Sequence, residues 1–171
     1  MKLFILLIIL LIGSTFLFAT VETVDKVDVN RYLGRWYQYA YYPNKFQPKD
    51  AALSAADYSL DAKGNLIVIN TSFDDKAGKK VLKQVKGKAK PIDKTFSKLR
   101  VSFFWPFYGD YWIVKLDKDY RYSVVSDRKQ KYLWILSRSP RMDADTYNEI
   151  LHFLRQGGWD PTKLVITGLQ D

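Results

Sequence analysis

Few residues in this chain have the types and spacing that acid–base or nucleophilic chemistry requires. There is one histidine, His152, and no cysteine. A thiolate nucleophile, a disulfide and a thiolate metal site are therefore excluded. His152 stands off the apolar stripe of a predicted helix, which suits a solvent-exposed side chain better than a ligand. The carboxylate pairs Asp74–Asp75 and Asp117/Asp119 sit beside glycine or lysine in turn-like stretches, and turn chemistry accounts for them. The G-x-S-x-G, G-x-x-x-x-G-K-[ST] and H-E-x-x-H patterns are absent. The expectation is a protein that is not an enzyme and uses no cofactor and no metal.

The chemistry that remains is that of amphipathic aromatics and basic groups. Aromatic residues make up 16% of the chain. "YLGRWYQYAYYPNKFQ", residues 32–47, sets Gly34-x-Trp36 before a run of tyrosines, a Pro-Asn turn and Phe46. Tyrosine and tryptophan pair a large apolar body with a polar tip, so they suit places where one end is dry and the other wet. "SFFWPFYGDY" packs Phe104, Trp105, Phe107 and Tyr108 into one short span. That is too aromatic for an ordinary loop and points to contact with an acyl chain or a bilayer surface. Lys45 lies close enough in sequence to Phe46 to meet a carboxylate or phosphate head. Arg138 ends "LWILSR". A guanidinium over the Trp36 indole would be a cation–π contact able to plug one end of a barrel.

These groups need a scaffold, and the chain is long enough for one domain with a sizeable core, at 171 residues. Residues 1–19 carry Lys2 and then an apolar run from Leu3 to Phe18. The run is short for a membrane span and reads as a secretory signal peptide, leaving a domain over residues 20–171. Thr20 stands where a lipoprotein would carry its acylated cysteine, so the expected location is periplasmic or outer-membrane-associated without acylation. Net charge is +9, with lysines concentrated between Lys79 and Arg100. A solvated outer strand face explains them best, with an acidic lipid surface next and nucleic acid last.

From Trp36 to Ser137 short segments of alternating polarity are separated by turn signals, the pattern of an all-β antiparallel sandwich or barrel. Ala56, Tyr58 and Leu60 share one face. Val81, Val85, Gly87 and Ala89 share another, against Lys86, Lys88 and Lys90. Leu99, Val101 and Phe103 oppose Arg100 and Ser102. "YWIVKLD", "YRYSVVS" and "KYLWILSR" are apolar on both faces, which suggests strands covered outside by a helix. That helix follows Pro140, capped by Asp143, with Tyr147, Ile150, Leu151 and Leu154 as its apolar stripe. Gly157-Gly158 ends it and a short strand, "KLVIT", follows. About eight strands can close into a barrel with room for one small ligand.

Gly34-x-Trp36 at the start of the first strand, Arg138 at the end of the last barrel strand, and a helix after it together resemble the lipocalin family. "YSLDAKGNLIVIN" and "DKDYRYSVV…YLWILSR" resemble its bacterial branch, which is related to apolipoprotein D and plant temperature-induced lipocalins. The resemblance spans nearly all of residues 27–169. It implies an eight-stranded up-and-down barrel with one C-terminal helix packed outside and a short final strand. It also implies a closed-bottom cup, with Gly34, Trp36 and Arg138 as the closing motif. Strand phasing then lines the cup with Gln38, Ala40, Tyr42, Ala56, Tyr58 and Leu60, and with Leu66, Val68, Val85, Val101 and Phe103. Tyr111, Ile113, Tyr132, Trp134 and Leu136 complete the wall. Lys45, Phe46, Phe104, Trp105, Phe107 and Tyr108 mark the mouth. The small residues Ala40, Ala56, Gly87 and Ala89 suggest free space. The implied ligand is a hydrophobic small molecule, foremost a fatty acid or lysophospholipid. A stress-protective protein docked on acidic lipid and a haem or bilin carrier stand as alternatives.

Overall fold

The computed structural model describes residues 21–169, and the predicted signal peptide lies outside them. Eight strands run antiparallel, β1 (Gly34–Tyr41), β2 (Leu53–Leu60), β3 (Leu66–Phe73), β4 (Val81–Pro91), β5 (Lys98–Phe104), β6 (Phe107–Leu116), β7 (Tyr122–Ser126) and β8 (Leu133–Ser137). Each pairs with its successor and β8 returns to β1, so the sheet closes and protects its edges. A short helix α1 (Val29–Tyr32) precedes β1, and the longer α2 (Ala144–Gln156) follows β8. The final strand β9 (Val165–Ile166) pairs with Ala40 and Tyr41, beyond the point where β2 leaves β1.

Local chemistry explains the hairpins. In the β2–β3 turn the Asp61 carboxylate accepts the N–H groups of Lys63 and Asn65, each at 2.9 Å, while Gly64 takes φ +75°. Asp117 plays the same part before β7. It accepts from the Asp119 and Arg121 backbones and holds the Arg121 guanidinium at 3.0 Å. Asp74 pairs with Lys80 across the β3–β4 turn. The Asp74, Asp75 and Asp117 carboxylates are therefore engaged in turn geometry.

The barrel has two apolar layers. The inner one gathers Trp36, Tyr58, Val68, Leu99, Ile113 and Val125 inside the sheet. The outer one joins Tyr39, Val114, Val124 and Ile135 to Ile150 and Leu154 of α2. This double demand explains why β6, β7 and β8 are apolar on both faces. The Asp143 side chain accepts from Thr146 N–H and caps α2. Glu149 binds Lys115 at 2.8 Å and fixes the helix along the wall. His152 is exposed.

One irregularity decides which side chains face in. Gln38 lies opposite Leu136 and Ala40 opposite Ile135, so Tyr39 is an extra residue in β1. Such a bulge reverses the facing of everything after it. Trp36 and Gln38 keep the inward phase, whereas Ala40 and Tyr42 turn out into the layer beneath α2.

Candidate ligand cup

The closed end is built around Trp36, which is fully buried. The Arg138 guanidinium lies 3.8 Å from the indole centroid. It donates to the Arg35 carbonyl at 2.9 Å and the Arg31 carbonyl at 2.6 Å. Gly34 adopts φ +89° beneath it, a conformation that disfavours any side chain. The Trp36 Nε1–H donates to the Tyr32 carbonyl at 2.8 Å. The segment before α1 crosses under the barrel, with Val27 N–H bonded to the Thr95 carbonyl. A void of about 10 Å³, room for about one water, lies at this end, lined by Val27, Tyr32, Leu66, Phe96, Leu99 and Ile113 among others.

Above the indole, the Tyr32 phenol enters from α1. Its hydroxyl lies 2.8 Å from that of Tyr111 and 3.2 Å from that of Ser123. Tyr58 donates to Tyr111 at 2.8 Å. Desolvation pushes the Tyr32 phenol up to about 12, and raises Tyr58 and Tyr111 as well. The network is held in its neutral form.

Higher up, the inner face opens. Val101, Phe103, Tyr111 and Trp134 pack against the inner layer yet stay half-buried. In a filled barrel these positions would be covered from all sides, so the upper interior is accessible. Trp134 stacks on Tyr132 at 5.9 Å, and Tyr132 meets Phe46 at 5.7 Å. The three rings form a ladder from the β1–β2 loop into the barrel. Strand directions place the loops after β1, β3, β5 and β7 at the end opposite Gly34. Phe104, Trp105 and Phe107 form the β5–β6 hairpin there and are 71%, 85% and 76% exposed.

Residues 27–168 match the family model of the lipocalin-like domain. The chain belongs to the lipocalin family. This lipocalin is 37% identical over 146 residues to the outer membrane lipoprotein Blc of Escherichia coli (strain K12), covering 85% of its own length and 81% of that protein. It is 34% identical over 159 residues to temperature-induced lipocalin-1 of Arabidopsis thaliana, covering 88% of this chain and 83% of the relative. Among solved structures, apocrustacyanin C2 superposes with a TM-score of 0.63 at 22% identity, covering 84% of this chain and 80% of that one. Insecticyanin from the tobacco hornworm Manduca sexta gives 0.64 at 18% identity, covering 85% and 82%. The barrel architecture, with its outside helix and extra strand, is the one the sequence predicts.

The lipocalin's inner face differs from the phased expectation at several positions. Ala40 and Tyr42 face α2 because of the β1 bulge, and the Tyr42 hydroxyl donates to the Asp160 carbonyl at 2.8 Å. Leu60 is 43% exposed at the closed-end rim, where β2 has run past the cup. Tyr108 points outward under Arg100, 5.3 Å away. Val85, by contrast, keeps the inward phase of Gly87 and Ala89 and is half-buried opposite Asn70, beyond the packed layer. Gln38 is buried, with its carboxamide bonded to that of Gln47 and to the Thr167 hydroxyl. Lys45 lies in the mouth loop, 5.7 Å from the Phe46 ring. Ala56, Tyr58, Leu66, Val68, Val101, Phe103, Tyr111, Ile113, Trp134 and Leu136 belong to the inner layer.

The small residues have a different use from the one expected. Ala56 lies directly opposite Trp36 and makes room for its indole. A Cβ on Gly87 would stand 2.8 Å from the Phe103 ring. Both leave space for neighbouring aromatic rings rather than for a ligand. Tyr32, Ser123 and Val125 are inner-layer residues that strand phasing does not select. Tyr32 enters from a helix, outside any strand alternation. Ser123 and Val125 alternate with Tyr122 and Val124, which are equally suited to burial.

Proposed function

We propose that this lipocalin carries an acyl lipid, a fatty acid or lysophospholipid, by burying its chain in the barrel without covalent chemistry. The observation that supports this most directly is the half-exposed inner wall of Val101, Phe103 and Trp134 above a sealed floor. Each CH₂ moved from water onto such a wall contributes about 0.8 kcal/mol, so a long chain binds well even after its ordering cost. Lys45 and Lys131, the latter 5.5 Å from the Tyr132 ring, stand where an anionic head would emerge.

The mouth also suits collection and delivery at a membrane. The exposed Phe104–Trp105–Pro106–Phe107 tip would enter the interfacial layer, and the lysine-rich β4 face would favour an acidic surface. The apolar leader at residues 1–19 and the similarity to an outer membrane lipoprotein support a place in a cell envelope. Thr20 offers no thiol for acylation, so contact with the membrane would be reversible.

Mass spectrometry of organic extracts from protein purified under non-denaturing conditions should reveal acyl species. A fluorescent fatty-acid probe should bind and quench tryptophan emission, and Val101→Trp should weaken binding at least tenfold by filling the cup. A probe that neither binds nor quenches overturns the reading.

A further inference from the structure

Three phenols and a serine meet inside an otherwise apolar barrel, and their proton count has a consequence for the ligand. A buried hydroxyl is costly unless bonded. Every oxygen of the chain Ser123–Tyr32–Tyr111–Tyr58 has a partner, at 3.2, 2.8 and 2.8 Å in that order. The protons are not all used, because four hydroxyls share three bonds. Tyr58 donates to Tyr111, so its own proton is placed. The spare proton falls on Ser123, Tyr32 or Tyr111. Ser123 is 0% exposed and Tyr32 3%, so a spare proton on either would be buried without an acceptor. That cost is avoided when Ser123 donates to Tyr32 and Tyr32 donates to Tyr111. The Tyr111 oxygen then accepts twice and its O–H points to neither neighbour. Tyr111 is also the member of the four that remains half-buried, on the inner face beside Val101 and Phe103.

We infer that Tyr111 presents a free O–H donor at the floor of the cup, so that the barrel selects an apolar ligand carrying a neutral hydrogen-bond acceptor with no proton of its own, such as a ketone, at its buried end. The inference rests on the carrier reading above and specifies its ligand class. An ionised carboxylate at that depth would lose its hydration among phenols and aliphatic side chains. A charged head therefore stays at the lysine-bearing mouth while the far end of the chain is read by Tyr111. A plain methyl terminus leaves the donor unused. A ketone oxygen near that terminus accepts from it and leaves no proton over, whereas a hydroxyl would bring a further donor without an acceptor.

The test compares hexadecanoic acid with 15-oxohexadecanoic acid on the full barrel and on Tyr111→Phe, and the quantity read is the ratio of the two dissociation constants. In the unsubstituted protein the keto acid should bind at least as well as the plain acid within about threefold. In Tyr111→Phe the ratio should move against the keto acid by about tenfold. A ratio that Tyr111→Phe leaves unchanged overturns the inference while the carrier reading stands. Failure of both acids to bind the unsubstituted protein overturns both. If Tyr111→Phe does not fold, fluorotyrosine labelling of the unsubstituted sequence decides instead. The Tyr111 fluorine resonance must then shift further with the keto acid than with the plain one, and equal shifts overturn the inference.

Discussion

At the scale of single residues, Arg138 and Tyr32 carry the closed end. Arg138 combines a cation–π contact with hydrogen bonds to two backbone carbonyls. Arg138→Ala would remove the plate over Trp36 and leave those carbonyls without their donor. The expected loss is about 2–4 kcal/mol in urea unfolding, and a change below about 0.5 kcal/mol would refute this role. Tyr32 gives a pH signature. Burial raises its pKa from 10.0 to about 12. The unfolded chain ionises first, so its contribution is complete below about pH 10 and is lost as pH rises towards 12. The loss should be roughly 2–3 kcal/mol. Stepped-pH unfolding, followed with tyrosinate absorbance, should show flat stability from neutral pH to about 10 before the fall. The residues of the closing motif are recognisable in the sequence because Gly34, Trp36 and Arg138 are each chemically distinctive. Tyr32 is not, because one more tyrosine in a tyrosine-rich stretch has no distinguishing mark until α1 aims it inward.

At the scale of elements, β1 shows where alternation stops being informative. Up to Gln38 its inward set follows period 2, and after Tyr39 the set reverses. No residue type announces the bulge. It lies where β1 has left β2 and takes up β9 while still paired with β8. β4 and β5 make a related point, since Gly87 is small to admit the Phe103 ring. Gly87→Ala should push that ring aside, cost about 1–3 kcal/mol, and alter the near-ultraviolet dichroism of the barrel. Unchanged dichroism and stability would show that Phe103 has room to move. For α2, Asp143→Ala removes the cap on Thr146 N–H. It should lower stability by about 1 kcal/mol without changing ligand affinity, because α2 packs on the outer layer.

At the scale of the whole molecule, polarity is divided between the two ends. The closed end is sealed by backbone carbonyls around a guanidinium. The open end carries exposed aromatics among lysine-bearing loops. This asymmetry predicts an orientation on membranes. Vesicles containing anionic phospholipid should bind the protein more tightly than neutral ones, with affinity falling as salt screens the lysines. Trp105 emission should shift to the blue on binding, and Trp105→Ser should reduce partitioning by about tenfold. Binding that is indifferent to both salt and Trp105 would place the contact elsewhere on the barrel.

The sequence by itself determined the class of fold, the strand and helix order, the Arg138–Trp36 contact and the aromatic β5–β6 segment. Each of these depends on local patterning or on side chains whose chemistry is unusual. Only the tertiary structure decided which residues face into the barrel. Facing depends on register, and one inserted residue in β1 moved Ala40 and Tyr42 from the inside to the helix. The hydroxyl chain from Ser123 to Tyr58 was also decided there. Its members come from α1, β2, β6 and β7, and only closure of the barrel brings their oxygens within hydrogen-bond reach.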